Sequence, residues 1–103
     1  MYTAHWPRLH PSDFKVKTLD GVADDWPIDY ETLEPFFAEN DRMMGVSGLA
    51  GDPAYPPKEP PMPPLPLGKS GARLGKAMNQ FGWHWWVSDS TIATVDYDGR
   101  GRG

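Results

Sequence analysis

Cysteine is absent from the 103 residues, which excludes disulfides and thiolate metal sites within the chain. Histidine is scarce: His5, His10 and His84 form no H-x-x-x-H pair, so no metal site is read. No apolar run approaches the ~18 residues of a membrane span. No basic-then-apolar stretch at the start reads as a secretory leader. No strand followed by G-x-G-x-x-G occurs, so no dinucleotide site is encoded. The net charge of -4 and the lack of a basic patch argue against nucleic acid as a partner. Ser47, Ser88 and Ser90 have no base beside them in the sequence, which leaves nucleophilic catalysis without support. Nothing in these residues names a compartment.

What is present is unusual in two ways. Twelve Pro and eleven Gly lower the expected content of regular structure and make stability as an isolated domain doubtful. Five Trp, four Tyr and four Phe pull the other way, since each can bury roughly 150–250 Å². The chain therefore reads as one built to be buried, in part against something outside itself. Charge is also segregated. Asp20 to Asp41 holds eight acids and no Lys or Arg, whereas Lys58 to Lys76 holds four bases and Glu59. These are either solvated faces of opposite sign or two segments that dock on each other.

Local patterns give an outline of mixed α+β class: two helices, short strands and a Pro-rich extended segment. The alternation of Phe14, Val16 and Thr18 with Lys15 and Lys17 reads as a half-buried strand, closed by a turn at Asp20-Gly21. Asp29 caps a first turn through Tyr30–Leu33. Pro35 suits a first helical position, so the main helix is placed at Pro35–Met44, with Gly45 as its left-handed cap. Eight of the fourteen residues from Pro53 to Pro66 are Pro, and the run from Pro60 to Pro66 should be polyproline II. Ser70 is the expected N-cap of a second helix, Gly71–Phe81. In it Leu74, Ala77, Met78 and Phe81 fall at i, i+3, i+4 and i+7. Gly75 weakens that helix by ~1 kcal/mol, and close approach of another backbone would be a reason to keep it. Trp83–Val87 and Thr91–Val95 read as strands, with a turn at Asp89-Ser90. The final Gly99–Gly103 is too Gly-rich to pack.

Candidate chemistry is sparse. Asp24-Asp25 and Glu31 with Glu34 are the nearest approach to paired carboxylates, and helix capping explains them better than acid–base work. His84 reads as a strand residue pointing opposite its Trp neighbours. The Trp83–Trp86 cluster is either buried core and interface or a substrate-stacking surface.

One resemblance runs through nearly the whole chain. Arg8, Pro11, Asp13 and Phe14 match an R-x-x-P-x-D-[FY] stretch. Trp26-Pro27-Ile28, Tyr30, Leu33 and Pro35-Phe36-Phe37 match W-P-[IL]-x-Y-x-x-L-x-P-[FY]-[FY], with Asp29 at the first free position. Gly45–Pro57, the Pro run, Trp83–Trp86 and Tyr97–Arg100 follow the same pattern. These residues resemble the glucose-methanol-choline family of FAD-dependent oxidoreductases, in the bacterial branch of choline- and gluconate-dehydrogenase-like flavoproteins.

The resemblance implies that residues 1–103 are a partial substrate-binding or cap region, an internal piece without the FAD-binding core and without the C-terminal segment that carries the family's catalytic His. It implies oxidation of a CH–OH group of an alcohol, sugar or sugar acid in the parent, where flavin carries the hydride chemistry. Tyr2, Thr3, His5 and Trp6 would leave the flavin loop and lie near the cofactor, and Trp85 and Trp86 would line the substrate side. The chain alone is then expected to be inactive and to bind no FAD. Its expected partners are the remainder of the parent flavoenzyme or further copies of itself through exposed aromatics, not nucleic acid or membrane. The alternative is a free-standing interaction module whose P-x-x-P motifs or Trp cluster bind a protein.

Overall fold

A computed structural model describes residues 4–103. Within them lie a 3-10 turn at Pro11–Lys15, α1 at Val16–Asp20, α2 at Tyr30–Met44 and α3 at Gly68–Gln80. Among the described residues, β pairing is confined to isolated bridges. The mixed helix-and-strand outline is therefore corrected towards helices joined by irregular chain.

The first expected strand is helical. Pro11 opens the 3-10 turn, and the Asp13 carboxylate accepts the His10 amide at 2.7 Å. These helix-entry signals outweigh a two-residue alternation only five residues long. Phe14 turns inward to 1% exposure, and Asp20-Gly21 becomes the end of α1, with Gly21 at φ 73°. Asp25 then ties the loop back, accepting the Thr18 amide at 3.0 Å.

Helix α2 starts where Asp29 caps it, through the Thr32 amide at 2.8 Å. It runs unbroken through Pro35, so the expected separate first turn and later helix are one element. Proline at the sixth position removes a single amide donor, the one that would reach Glu31 four residues back, and Glu31 is exposed. Gly45, at φ 70°, ends α2 as expected.

Helix α3 begins at Gly68 after Leu67, which offers no side-chain cap. Ser70 lies inside the helix, not at its start. The indole of Trp85 lies on Gly75, where a Cβ would stand 2.8 Å from the ring. An aromatic ring, not a backbone, explains that glycine.

Neither late strand forms. Backbone pairing instead centres on Ser90, in the expected turn. His5 bridges Ser90, Ser90 bridges Ser47, and Ser47 bridges Met62 in parallel. Ser90 and Ser47 exchange bonds of 2.9 and 2.8 Å, and Met62 pairs with the backbone of Val46 and Gly48 at 3.1 Å each. The Pro-rich run thus lies along this pairing as its edge, where Pro is tolerated, and buries Met62 to 2%. It is not a free ligand-like arm.

The Gly-rich end packs too. Arg100 donates to the carbonyls of Met44 and Met43 at 3.3 and 3.2 Å, and Tyr97 donates to Arg42 O at 2.8 Å. A cation on the last carbonyls of α2 suits the helix dipole. Gly103 donates to Ala93 O at 2.9 Å.

The core is thin. Among the described residues, Phe14, Tyr30, Val46 and Met62 are its buried apolar side chains. The radius of gyration is 15.7 Å, against roughly 13 Å expected for a closed domain of this length.

Candidate functional site

The best-formed polar centre lies where the N-terminal segment meets α2. Tyr30, Glu34, Phe37 and Asp41 recur at helical spacing and share one stripe of α2. Arg8 lies against that stripe, 7% exposed. Its Nε and Nη2 donate to Asp41 Oδ2 at 3.0 and 2.7 Å, and Nη1 donates to the Tyr30 hydroxyl at 3.1 Å. Glu34 accepts at 3.4 Å, and the Phe37 ring centroid is 5.7 Å away. Burial works against the charge, and the Tyr30 and Asp41 bonds outweigh it, so the Arg8 pKa is raised. The acidic segment thus finds its buried cation in Arg8. Among the described residues no ion pair joins it to Lys58–Lys76.

A second centre holds the aromatic cluster. A cleft of about 400 Å³ is lined by His5, Asp52, Tyr55, Lys58, His84, Trp85, Trp86, Ser88 and Asp89, among others. Lys58 Nζ pairs with Asp89 Oδ2, both side chains about nine-tenths buried. Gly48 makes room for that carboxylate, because a Cβ there would collide with Asp89 Oδ1. His5 Nδ1 and Ser88 Oγ are 2.5 Å apart. His84 Nε2 stands 3.0 Å from Asp52 Oδ1, and Trp86 Nε1 donates to Leu49 O at 2.8 Å.

Tyr55 joins the two centres. Its hydroxyl donates to Arg8 O at 3.0 Å, its ring stacks on His10 at 4.0 Å, and Lys58 Nζ lies 4.5 Å from its centroid. Burial, followed by the charges of Asp89 and Asp52, pushes the Tyr55 hydroxyl pKa up. Asp52, Tyr55 and Lys58 also line a larger neighbouring hollow of about 780 Å³, together with Arg8 and Glu34.

The expected site residues divide accordingly. Tyr2 and Thr3 lie outside the described residues. His5, Trp85 and Trp86 come together around one cleft although eighty positions separate them. Trp6 is half-buried and donates its amide to Asp89 O at 3.0 Å, outside the cleft wall. Lys58, Asp89 and Tyr55 were not expected there. Lys58 sits among prolines and Asp89 in an apparent turn, and a spacing of 31 positions carries no signal of pairing. Asp25 and Asp29 act as caps, with pKa values lowered first by side-chain hydrogen bonds from Thr18 and Thr32. Among the described residues no group of His, Asp or Glu is arranged to hold a metal ion.

The resemblance noted in the sequence has a structural content. Arg8 and Tyr30 bond each other, Pro11 opens the 3-10 turn, Asp13 closes it, and Phe14 packs edge-on to Trp26 with centroids 6.0 Å apart. These matching positions hold the segment together.

No established family profile matches the chain. It is 44% identical over 103 residues to 2-methyl-1,2-propanediol dehydrogenase of Mycolicibacterium austroafricanum, covering 96% of this chain and 19% of that protein. It is 38% identical over 58 residues to the fructose dehydrogenase large subunit of Gluconobacter japonicus, covering 52% of this chain and 11% of that protein. The chain spans about a fifth of the length of the first relative. Both relatives are dehydrogenases, so the chain is similar to a segment of oxidoreductase sequence.

Proposed function

We propose that this chain is the part of a flavin-dependent, glucose-methanol-choline-type dehydrogenase that braces the substrate side, and that it is inactive alone. The observation that carries the reading is the 44% identity to a diol dehydrogenase along 96% of the chain. The substrate class is an alcohol or polyol oxidised at a CH–OH group. The Arg8 centre fixes the N-terminal segment on α2, and the cleft of His5, Trp85 and Trp86 faces the flavin and substrate in the whole enzyme.

Among the described residues, the starts of the two longer helices do not fit the diphosphate of FAD. α2 opens on Asp29 and Glu31, whose carboxylates repel a diphosphate. α3 follows the Pro-rich segment and lacks the strand-to-helix turn that presents amides to phosphate. FAD recognition therefore belongs to other parts of the enzyme, and no catalytic step is assigned to these residues.

The test is a chimaera. The matching stretch of the 2-methyl-1,2-propanediol dehydrogenase is replaced by this chain, and flavin absorbance and diol-dependent dye reduction are measured. Retained flavin and activity are expected, with no saturable FAD binding by the isolated chain. A parent enzyme without flavin, or tight FAD binding by the isolated chain, overturns the reading.

A further inference from the structure

The cleft contains two imidazoles, and their neighbours leave each a single tautomer in its neutral form. His84 Nε2 stands 3.0 Å from Asp52 Oδ1. A carboxylate only accepts, so Nε2 carries the hydrogen and Nδ1 is left as an acceptor. Asp52 is held in place for this. Its side chain is 10% exposed, and Oδ1 also accepts the Ala54 amide at 2.9 Å. His5 is fixed the other way round. Ser88 Oγ donates its one hydrogen to the Asp89 carbonyl at 3.2 Å. It can then only accept from His5 Nδ1, 2.5 Å away, which leaves His5 Nε2 as the acceptor. Among the described residues neither His84 Nδ1 nor His5 Nε2 has a protein partner. The indoles beside them are already committed. Trp86 Nε1 donates to Leu49 O at 2.8 Å, and the Trp85 ring lies on Gly75. They offer a ligand carbon surface and not hydrogen bonds.

We infer that this cleft selects a neutral diol or larger polyol over a sugar acid, with two ligand hydroxyls donating to His5 Nε2 and His84 Nδ1 and the carbon skeleton against Trp85 and Trp86. The inference rests on the dehydrogenase reading above and narrows its substrate class. Two lone pairs facing one space call for a ligand with two donors. Charge excludes an anion. The cleft is lined by two carboxylates, Asp52 and Asp89, against one ammonium, Lys58, and that ammonium is spent on Asp89. Arg8, in the neighbouring hollow, is spent on Asp41. A ligand carboxylate would find no free cation here. Nor do the two imidazoles make a metal site, since among the described residues no third His, Asp or Glu is arranged with them. A volume of about 400 Å³ lies within the range of small-molecule clefts.

The experiment has two arms. In the isolated chain, labelled with nitrogen-15 histidine, the tautomers are read by NMR at about pH 8.5, above the ordinary histidine value of about 6.5. His84 should carry its hydrogen on Nε2 and His5 on Nδ1. In the chimaera, His84→Ala and His5→Ala should each raise KM for 2-methyl-1,2-propanediol about three- to tenfold, the worth of one hydrogen bond, with flavin content and melting unchanged. His84→Asn and His5→Gln, whose amide oxygens can stand near the lost nitrogens, should restore part of that loss. With 2-methyl-1-propanol, which lacks one hydroxyl, only one of the two Ala variants should matter. Gluconate should neither react nor compete. The opposite tautomer at either histidine overturns the inference. So does an active chimaera whose KM both Ala variants leave unchanged, or one in which gluconate or an alkylammonium ion competes as well as the diol binds. These results spare the dehydrogenase reading. An inactive, flavin-free unsubstituted chimaera removes that reading and the inference with it.

Discussion

Arg8 and Asp41, 33 positions apart, share a two-pronged bond in which Nε and Nη2 both reach Oδ2, at 3.0 and 2.7 Å. The pair joins an irregular N-terminal segment to the last turns of α2. It is also the point where α2 ends, because the Asp41 carbonyl accepts the amides of Gly45 and Val46. Packing alone gives this chain little, with four buried apolar side chains among the described residues. A satisfied buried guanidinium therefore fixes more of the fold than it would in a larger core.

Replacing Arg8 by Ala leaves Asp41 and the Tyr30 hydroxyl buried without a donor. Losing one member of a buried pair costs about 3–5 kcal/mol, which is most of what so small a chain can hold. Arg8→Ala is expected to unfold the chain at room temperature, as read by circular dichroism and urea titration. Arg8→Lys should fall between, since an ammonium cannot reach Asp41 and Tyr30 together in the same fork geometry. A melting curve unchanged in Arg8→Ala would remove the Arg8 centre from the account.

How much of this was visible in the residues depends on the range of the interaction. Asp29 as cap, Gly45 as terminator and the periodic face of α3 are all written within one or two helical turns, and all three formed. The strands at Trp83–Val87 and Thr91–Val95 failed because pairing is a long-range decision. Ser90 found Ser47 and His5, while the indoles of Trp85 and Trp86 were taken by Gly75 and the Leu49 carbonyl. The cleft was half legible. Aromatic content pointed to Trp85 and Trp86, and resemblance pointed to His5, but no local pattern couples Lys58 to Asp89.

Acid should loosen the start of α2. The Asp29 carboxyl accepts from the Thr32 amide and hydroxyl at 2.8 and 2.6 Å, and its pKa is lowered from the ordinary carboxylate value by the Thr32 bonds. A lowered folded-state pKa means stability that is present above the unfolded value of about 3.9. That stability is lost as pH falls through the folded value. Asp25, lowered by Thr18 in the same way, acts in the same window. Helical ellipticity is expected to fall in this range and to fall less steeply with pH in Asp29→Asn, which keeps a cap without the titration. A pH-independent wild type would contradict the capping role.

Gly75 offers a sign test. In an exposed helix interior, Gly→Ala stabilises by ~1 kcal/mol. Here the new methyl would stand 2.8–2.9 Å from three atoms of the Trp85 ring, so either the ring or the helix must move. Gly75→Ala is expected to destabilise and to shift tryptophan emission. The double variant Gly75→Ala with Trp85→Ala should recover the helix gain while losing the ring packing. Stabilisation by Gly75→Ala alone would show that Trp85 does not rest on α3.

The Lys58–Asp89 pair separates charge from shape. Both side chains are about nine-tenths buried where they line the cleft, and Gly48 is kept open for the carboxylate. Lys58→Met leaves Asp89 buried and unpaired, and Asp89→Leu does the same to Lys58. Each single variant is expected to lose about 3–5 kcal/mol, whereas the double variant should lie near the wild type, because well-packed apolar pairs replace buried ion pairs at little cost. The cleft is then the second readout. The Asp89 carbonyl accepts from Trp6 N, and His5 and Ser88 lie beside it. If the double variant melts like the wild type and also keeps the tryptophan emission of the cluster, the pair only fills space. If stability returns but emission shifts, the ion pair sets where His5, Trp85 and Trp86 stand, and the double variant should alter activity in the chimaera without altering its folding.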